Sequence, residues 1–385
     1  MNRREFLRQC CRYALLTAGV QAVPWLHSPP PANAQNLSPS HGLMGRKLSP
    51  YFTKLEGKVV RCELCPRECE VGPGERGYCR VRENVDGQYY SLTYGNPCSI
   101  QVDPIEKKPF FHVLPTSRSF SIATAGCNFN CKFCQNHSIS QAKPDDTFNY
   151  ALSPEQVVEM AQRSRSLSIA STYVEPTIFT EYMVDIGNLA KKQGILKVIH
   201  SNGYINPKPL DDLCASLGAA CIDLKGFTEA YYRELTEGSL QPVLDTLVRL
   251  KKKGVHTELV TLIVPGKNDD MEQIKAMCRW IKNELSPDVP LHFSRFYPMY
   301  KLKSLPPTPV ETLEKARAAA LEEGLRYVYI GNVAGHAGEH TYCPKCGVML
   351  IQRLGYQVQI QQFRDGRCTQ CGQPIPGIWK QPEVA

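Results

Sequence analysis

Three cysteines stand close together in the segment Cys127-Asn128-Phe129-Asn130-Cys131-Lys132-Phe133-Cys134, which directly follows an apolar run ending at Ala125. Three thiolates at this spacing suit one iron–sulfur cluster, but such clusters ordinarily take four cysteine ligands. A four-iron cluster held by only three cysteines leaves one iron open, and an open coordination position is where a metal centre acts on a bound molecule. The segment therefore predicts a [4Fe-4S] cluster that does chemistry.

Two alternatives exist for these cysteines. They could belong to a zinc site completed by a distant residue, or they could be buried and pack as small apolar side chains. Gly126 precedes the first cysteine, polar residues separate the cysteines, and Gln135 and Asn136 follow the last one. This composition indicates an ordered ligand loop rather than a core segment, so we prefer the cluster.

The composition describes a folded chain with appendages. It has 385 residues, of which 42% are hydrophobic and 21% are charged, and its formal net charge is +8. The length exceeds that at which single hydrophobic cores stop growing, which predicts one large domain with smaller additions. The basic residues are spread along the chain, apart from the run Lys251-Lys252-Lys253 at a predicted helix end, where cations favour the helix dipole. We therefore predict no nucleic-acid site.

Cysteine is abundant, with 17 in the chain, and one further group of four precedes the central loop. This group consists of Cys62, Cys65, Cys69 and Cys79, with glycines at positions 72, 74 and 77 between the last two. Glycine-rich turns let the backbone fold tightly enough to gather four sulfur atoms. Zinc and an auxiliary iron–sulfur cluster both fit, and a structural zinc knuckle is the more economical interpretation because nothing in the spacing requires iron.

A second group of four, Cys343, Cys346, Cys368 and Cys371, lies near the C-terminus. The patterns C-P-x-C-G and C-x2-C-G, separated by a β-like stretch, are typical of a zinc ribbon or a rubredoxin-like site that binds zinc or iron. We expect this module to be a metal-stapled cap on the main domain or a protein-binding appendage. The solitary cysteines are predicted to be buried small residues, at positions 98, 214, 221 and 278.

From Phe120 onward, apolar runs of strand length alternate with helical patterns, which predicts repeated βα units around a parallel sheet. About six or seven units indicate an α/β fold of the open, partial (β/α)6-barrel type, with cysteine-rich appendages at both ends. Ser153-Pro154-Glu155-Gln156 and Thr308-Pro309-Val310-Glu311 read as capping boxes that begin two of the helices. The predicted strands are Ser121–Ala125, Ser168–Val174, Leu196–Asn202, Ala219–Lys225, His256–Val264, Pro290–Phe296 and Arg326–Gly331.

In βα barrels the chemistry lies at the carboxyl ends of the strands, so polar residues there are candidates for the site. Packing does not explain polar residues at so many strand ends. Besides the cysteine loop, the candidates are Tyr173, Glu175, Pro176, Ser201, Asn202, Asp223, Lys225, Gly266, Lys267, Asn268, Arg295 and Asn332.

The N-terminus carries the parts of an export signal. Arg3-Arg4 precede Phe6-Leu7, an apolar run extends from Tyr13 to Leu26, and Ala32-Asn33-Ala34 forms a small-x-small end. These features predict a twin-arginine signal and a protein exported to the periplasm or the outer face of the membrane. The apolar run is too short and too interrupted for a membrane span, so we expect none after signal removal. A cytoplasmic protein is the alternative.

These patterns divide the chain into four parts. Residues 1–34 are the signal, and residues 35–115 contain a linker and the first four-cysteine group. Residues 116–333 form the partial barrel, and residues 334–385 form the C-terminal metal module.

Several of these motifs together resemble one family. They are the C-x2-C-x3-C…G-x-C pattern of the N-terminal group, the central cysteine loop with an aromatic before its last cysteine, Tyr173-Val174-Glu175-Pro176-Thr177, and the C-terminal C-P-x-C…C-x2-C-G pattern. This combination resembles the AmmeMemoRadiSam radical S-adenosylmethionine (SAM) enzymes, which are relatives of the activating enzymes of pyruvate formate-lyase and other glycyl-radical enzymes. The resemblance covers nearly everything after residue 55.

The resemblance implies that SAM binds the open iron, is cleaved by an electron from an external donor, and yields a 5′-deoxyadenosyl radical that abstracts hydrogen from a substrate. Glu175 matches the glutamate of the superfamily's Gly-Gly-Glu motif, which implies a catalytic and SAM-binding role, although Tyr173 and Val174 replace the glycines. Asn202, Asp223 and Lys225 are candidates for binding the rest of SAM. Asp223 and Lys225 could instead form an ordinary surface ion pair.

Three functions follow from this reading. We expect a radical SAM enzyme that acts on a protein or peptide, for example as an activase that installs a glycyl radical. The alternatives are a radical SAM enzyme that acts on a small molecule, and an iron–sulfur electron carrier or interaction protein whose barrel has lost catalysis.

Overall fold

The computed structural model describes residues 37–381, so the signal predicted over residues 1–34 lies outside the described residues. An eight-stranded sheet forms the centre of this part of the chain, and its strands lie side by side in chain order. The strands are β1 (Ser99–Pro104), β2 (Arg118–Ala123), β3 (Ser168–Ser171), β4 (Leu196–Ser201), β5 (Ala219–Asp223), β6 (His256–Ile263), β7 (Leu291–Arg295) and β8 (Val328–Gly331).

The pairing makes the sheet mixed and open. Strand β1 is antiparallel to β2, whereas β2 to β8 are parallel neighbours throughout. Strands β1 and β8 lie at opposite edges, so the sheet does not close into a full barrel. All seven strands predicted from the apolar runs are present, and most end slightly earlier than predicted because the strand-end residues already belong to loops.

Long helices connect the parallel strands. Among the described residues there are six of them, one between each consecutive pair from β2 to β8, as expected for right-handed βα crossovers. The partial (β/α)6-type barrel is therefore confirmed. The helices are α1 (Pro154–Arg163), α2 (Thr180–Lys192), α3 (Pro207–Cys214), α4 (Gln241–Lys252), α5 (Met271–Trp280) and α6 (Val310–Glu322).

One of the two predicted capping boxes forms. At the start of α1 the Gln156 amide donates to Ser153 Oγ (3.3 Å), and the Ser153 amide donates to Gln156 Oε1 (2.8 Å). The prediction at Thr308 is wrong. Its buried hydroxyl donates to the Ile263 carbonyl (2.6 Å) and accepts from the Phe296 amide (2.9 Å). Tertiary contacts with β6 and the residue after β7 thus use the side chain that would have capped α6.

The strands present alternating residues to the two faces of the sheet, as their period of two requires. On the inner face, Val198 of β4 and Cys221 of β5 pack against Phe110 and Val113. These two side chains belong to the segment 105–114 between β1 and β2, which fills the interior of the half-barrel. Residues two positions further along the same strands point the same way, nearer the carboxyl ends.

The N-terminal region forms small antiparallel sheets against the barrel. One of them is a hairpin of Arg82–Val85 and Gln88–Ser91, to which Lys47–Leu48 adds a third strand. The four-cysteine segment lies around a second sheet made of Phe52–Lys54, Val60–Cys62 and Glu70–Val71. A two-stranded pair joins Ser40–His41 to Phe148–Asn149.

The C-terminal module packs at the amino ends of β7 and β8. Its core residues Leu350 and Ile351 contact Phe111 and Tyr329, and the buried Arg353 guanidinium donates to the Phe111 carbonyl (2.8 Å). The module is therefore anchored on the side of the sheet opposite the carboxyl ends. Its strands are Thr341–Tyr342, Met349–Leu354, Gln357–Ile360, Phe363–Arg364 and Arg367–Cys368.

None of the helices in residues 37–381 combines the length and the apolar character that a membrane crossing requires.

Candidate active site

The central cysteine loop lies at the carboxyl end of β2 and lines a cavity of about 290 Å³. Polar residues from the ends of β3, β4 and β5 line the same cavity, as expected for a βα barrel. The structure brings all of the predicted cluster and SAM residues to this cavity, namely Cys127, Cys131, Cys134, Glu175, Asn202, Asp223 and Lys225.

The loop is held by hydrogen bonds to neighbouring segments. The Phe129 amide donates to Cys127 Sγ (3.4 Å), and Cys134 Sγ lies 3.3 Å from Ser140 Oγ. The amides of Asn130 and Lys132 donate to backbone carbonyls in residues 235–236. Bonds of this kind fix the directions of metal ligands and tune the metal they hold.

The chemistry of the central loop fits an iron–sulfur cluster. Its three cysteines line one cavity together, and cysteine thiolates are the usual ligands of iron–sulfur clusters.

Glu175 is a buried acceptor at the centre of the cavity wall. Glu175 is only 3% exposed. Its carboxylate accepts hydrogen bonds from Ser201 Oγ (2.7 Å) and from the backbone amides of Thr177 (2.9 Å) and Asn202 (2.7 Å). Burial raises the pKa of Glu175, and these donors oppose the rise. The carboxylate thereby joins the ends of β3 and β4.

Asn202 continues this connection to the cysteine loop. Its side-chain amide donates to Asn128 Oδ1 (2.9 Å), and the Asn128 amide group in turn donates to the Tyr204 carbonyl (2.8 Å). Asn128 follows Cys127 directly in the chain. The position of the first cysteine is therefore linked by side-chain hydrogen bonds to the strand end that Glu175 organises.

Asp223 sits between two donors at the end of β5. Its carboxylate accepts from Lys225 Nζ (2.8 Å) and lies 2.8 Å from His200 Nε2. Burial raises the pKa of Asp223, but the charges of Lys225 and His200 outweigh this and lower it overall. Burial raises the pKa of Cys131, and the Lys225 ammonium opposes that rise, so Lys225 also lies near the cluster thiols. The Asp223–Lys225 pair is thus part of the cavity wall rather than a pair on the outer surface.

His200 is not among the site residues predicted from the sequence, although the alternation of residues along its strand indicates its position. His200 lies two residues after Val198 on β4, so strand alternation places both on the inner face. His200 is also opposite Cys221 in the pairing with β5. An inward-facing polar residue at the carboxyl end of a parallel strand is the pattern that identifies it.

Tyr173 keeps a glycine-like backbone where the superfamily motif has glycine. Its φ is +67°, in the left-handed region that non-glycine residues rarely adopt and that tends to occur at functional sites. Its carbonyl accepts from the Asn136 side chain (2.6 Å), just after the last cysteine of the loop. Its hydroxyl accepts from Lys108 Nζ (2.9 Å) and donates to Asp103. The strained residue therefore links β3 to the cysteine loop.

Some predicted strand-end residues lie outside the cavity lining. The Asn268 side chain accepts from the Val264 amide (2.7 Å) and donates to the Lys225 carbonyl (2.8 Å), so it supports a lining residue from behind. Arg295 donates to the Thr308 carbonyl (2.8 Å). Neither Gly266 nor Lys267 is a lining residue, whereas Tyr173, Ser201 and Asn332 line the cavity.

The C-terminal cysteines are arranged for a single ion. The sulfur atoms of Cys343 and Cys371 are 3.5 Å apart, and those of Cys346 and Cys368 are 3.7 Å apart. All four lie within 4.8 Å of one another. A tetrahedral zinc ion with Zn–S bonds of about 2.3 Å separates its sulfurs by roughly 3.8 Å, which these distances match.

The thiols of the N-terminal cysteines influence one another's pKa. Burial raises the pKa of Cys62 to about 12; the Arg82 guanidinium and the Leu64 amide oppose the rise, and the Cys79 and Cys69 thiols add to it. Burial likewise raises the pKa of Cys65, and the other three thiols add to that rise. The four cysteines thus form one group.

Comparison with known proteins agrees with this site. Residues 121–281 match the radical SAM superfamily. An uncharacterized protein of Methanocaldococcus jannaschii is 46% identical over 327 residues, which are 84% of this chain and 97% of that relative. The pyruvate formate-lyase-activating enzyme of Clostridium pasteurianum is 24% identical over 221 residues, covering 52% of this chain and 87% of the relative. The (2S)-3-sulfopropanediol dehydratase activating enzyme of Klebsiella oxytoca is 23% identical over 111 residues, which are 29% of this chain and 35% of that relative.

The family match, the extent of similarity to the archaeal relative and the activating-enzyme relatives lead to one conclusion. This chain belongs to the radical SAM superfamily, and it is an enzyme whose cofactors are a [4Fe-4S] cluster and SAM.

Proposed function

We propose that this protein is a radical SAM enzyme of the AmmeMemoRadiSam group that modifies or activates a protein or peptide. The observation that carries the proposal is one cavity lined by three cluster thiols and by the polar ends of β3, β4 and β5. Two of its relatives are named as activating enzymes, for pyruvate formate-lyase and for (2S)-3-sulfopropanediol dehydratase. Both of those names describe action on another protein.

Different residues of the cavity would bind the cluster and SAM. Cys127, Cys131 and Cys134 would hold the cluster, and the bound cofactors would supply the 5′-deoxyadenosyl radical once an external donor provides the electron. Glu175 retains lone pairs beyond those used by its three donors and would accept a hydrogen bond from the SAM ammonium. Lys225 and Asp223 offer a cation and an anion for the remaining polar groups of SAM, and Asn202 fixes the wall between them and the cysteine loop.

The choice between a macromolecular and a small substrate can be tested by product formation. We expect reduced enzyme with SAM to form more 5′-deoxyadenosine when the high-mass fraction of an extract from the source cells is added. Protease treatment of that fraction should remove the increase, because the hydrogen donor is a protein or peptide. The control is the same fraction with the Cys131→Ala variant, which should form none. An increase that follows only the low-mass fraction would instead make a small molecule the substrate.

Glu175→Gln tests the role of the buried carboxylate. An amide nitrogen cannot accept a hydrogen bond, so at least one of the donors from Thr177, Ser201 and Asn202 loses its acceptor in a buried site. We expect this to cost about 1–3 kcal/mol of unfolding free energy. The loss of a charge-assisted bond to the SAM ammonium should weaken SAM binding by about 1.5–3 kcal/mol, while the cluster itself remains.

Chemical denaturation and a SAM titration followed through the cluster's absorption measure the two effects. The matched control is Glu234→Gln, because Glu234 is exposed and pairs only with Lys267 among the ion pairs of the described residues. It should change the unfolding free energy by less than about 0.5 kcal/mol. Equal SAM affinities for the wild type and Glu175→Gln would show that Glu175 does not bind SAM.

We also propose that the protein is exported by the twin-arginine route, with the cytoplasm as the alternative location. The order of Arg3-Arg4, the apolar run and Ala32-Asn33-Ala34 supports the proposal. Residues 1–40 fused to a reporter that is active only outside the cytoplasm should give activity, and changing both arginines to lysine should abolish it. An inactive fusion would favour the cytoplasm, whereas activity that survives the lysine changes would reject the twin-arginine route.

A further inference from the structure

Tyr173 is the central residue of a tight, strained turn at the end of β3. The Val174 amide donates to the Thr172 carbonyl (2.9 Å), which closes a three-residue turn around Tyr173. With φ of +67° at its central residue, this turn has the sign of the rare γ-turn and not of the common inverse form. Glu175 follows two residues later, so the turn sets the direction of the chain at the Glu175 carboxylate. Such a conformation persists at a residue other than glycine only where other contacts hold it.

The side chain of Tyr173 is held by a buried ion pair. Its hydroxyl accepts from Lys108 Nζ (2.9 Å) and donates to Asp103. The same ammonium lies 4.2 Å from the centre of the Tyr173 ring, where attraction between a cation and the ring adds to the hydrogen bond. Lys108 Nζ also donates to Asp103, so each of the three side chains contacts the other two.

The ion pair is an interior feature of the half-barrel. The side chain of Lys108 is 1% exposed and that of Asp103 is 8% exposed. Burial lowers the pKa of Lys108 to about 8, and the Asp103 charge opposes that fall. Burial raises the pKa of Asp103, but the Lys108 charge and hydrogen bonds from Lys107, Lys108 and Tyr173 outweigh it and lower the pKa to about 2. Both groups are therefore mainly charged at neutral pH, so the hydrogen bonds among these side chains are charge-assisted and strong.

The anchored residue belongs to the wall of the active-site cavity. Tyr173 lines that cavity, and its carbonyl accepts from the Asn136 side chain (2.6 Å). Lys108 belongs to the segment 105–114 that fills the interior of the half-barrel, and Pro109 of this segment lines the same cavity. The segment thus fixes the side chain of Tyr173, and the end of the cysteine loop fixes its carbonyl.

We propose that Asp103 and Lys108 are positioning residues for SAM binding. Their ion pair anchors the Tyr173 side chain, and this anchor keeps the turn 172–174 in the left-handed form that places Glu175 in the cavity wall. The anchor compensates for the absence of the glycine that the superfamily motif has at this position. This role rests on the proposed function of the cavity, namely SAM binding at Glu175.

The test is the SAM affinity of the reconstituted full chain, followed through the cluster's absorption. Tyr173→Phe removes the hydroxyl but keeps a side chain at the strained position, so the turn should relax and SAM should bind about five- to tenfold more weakly. Tyr173→Gly should bind SAM within about threefold of the wild type, because glycine adopts positive φ at no steric cost. Tyr173→Phe with wild-type affinity, or Tyr173→Gly that binds SAM more weakly than Tyr173→Phe, would overturn the proposal.

A double-mutant cycle shows whether Lys108 acts through Tyr173. Lys108→Met should weaken SAM binding about five- to tenfold when made alone, and by less than about twofold when Tyr173→Gly is also present. The matched control is Lys107→Met, which should leave the affinity unchanged. Lys107 also donates to Asp103 (2.8 Å), but its side chain is 41% exposed and its Nζ lies 5.9 Å from the centre of the Tyr173 ring. An equal loss from Lys108→Met with and without Tyr173→Gly would contradict the proposal.

Hydrogen exchange in SAM-free protein reports on the turn itself and covers the case in which Lys108→Met fails to fold. The Val174 amide, which closes the turn, should exchange faster in Tyr173→Phe than in the wild type or Lys107→Met. Exchange at the wild-type rate in Tyr173→Phe would refute the anchoring role. The proposed function fails separately, because wild-type SAM affinity in Glu175→Gln rejects the role of Glu175 whatever the Tyr173 variants do.

Discussion

The active site depends on one buried carboxylate. Glu175 accepts hydrogen bonds from Ser201 and Asn202 at the end of β4 and from the amide of Thr177 in the short helical turn that follows β3. Buried donors of this kind must find an acceptor, and a carboxylate can satisfy several of them at once. The side chain of Asn202 donates in turn to Asn128, which follows the first cysteine of the loop in the chain. The strand ends, the cavity wall and the metal ligands are therefore positioned together.

The fold separates this chemistry from the C-terminal metal. The cysteine loop and the cavity lie at the carboxyl ends of the parallel strands, whereas the C-terminal module packs around Phe111 and Tyr329 at the amino ends. A closely spaced four-sulfur site in that module fits a structural ion that holds short strands together. The N-terminal group instead contacts the catalytic loop, with the Cys79 carbonyl close to Gly126.

The architecture was largely readable from the sequence because buried parallel strands appear as continuous apolar runs and βα crossovers follow a fixed order. The cluster-binding cysteines could be predicted because they lie close together in the chain. Other features depend on packing that no local pattern encodes. Thr308 matches a capping box, yet β6 uses its hydroxyl. The contact between His200 and Asp223 required the pairing of β4 with β5, although strand alternation alone could have identified His200.

The most direct test is product analysis of anaerobically reconstituted protein with SAM and a strong reductant. Radical SAM chemistry at the central loop predicts that the wild type forms 5′-deoxyadenosine and methionine in equal amounts. The Cys131→Ala variant should form neither, because it lacks a ligand of the central cluster. Wild-type protein with a complete central cluster that leaves SAM intact would contradict the assignment, as would a Cys131→Ala variant that cleaves SAM like the wild type.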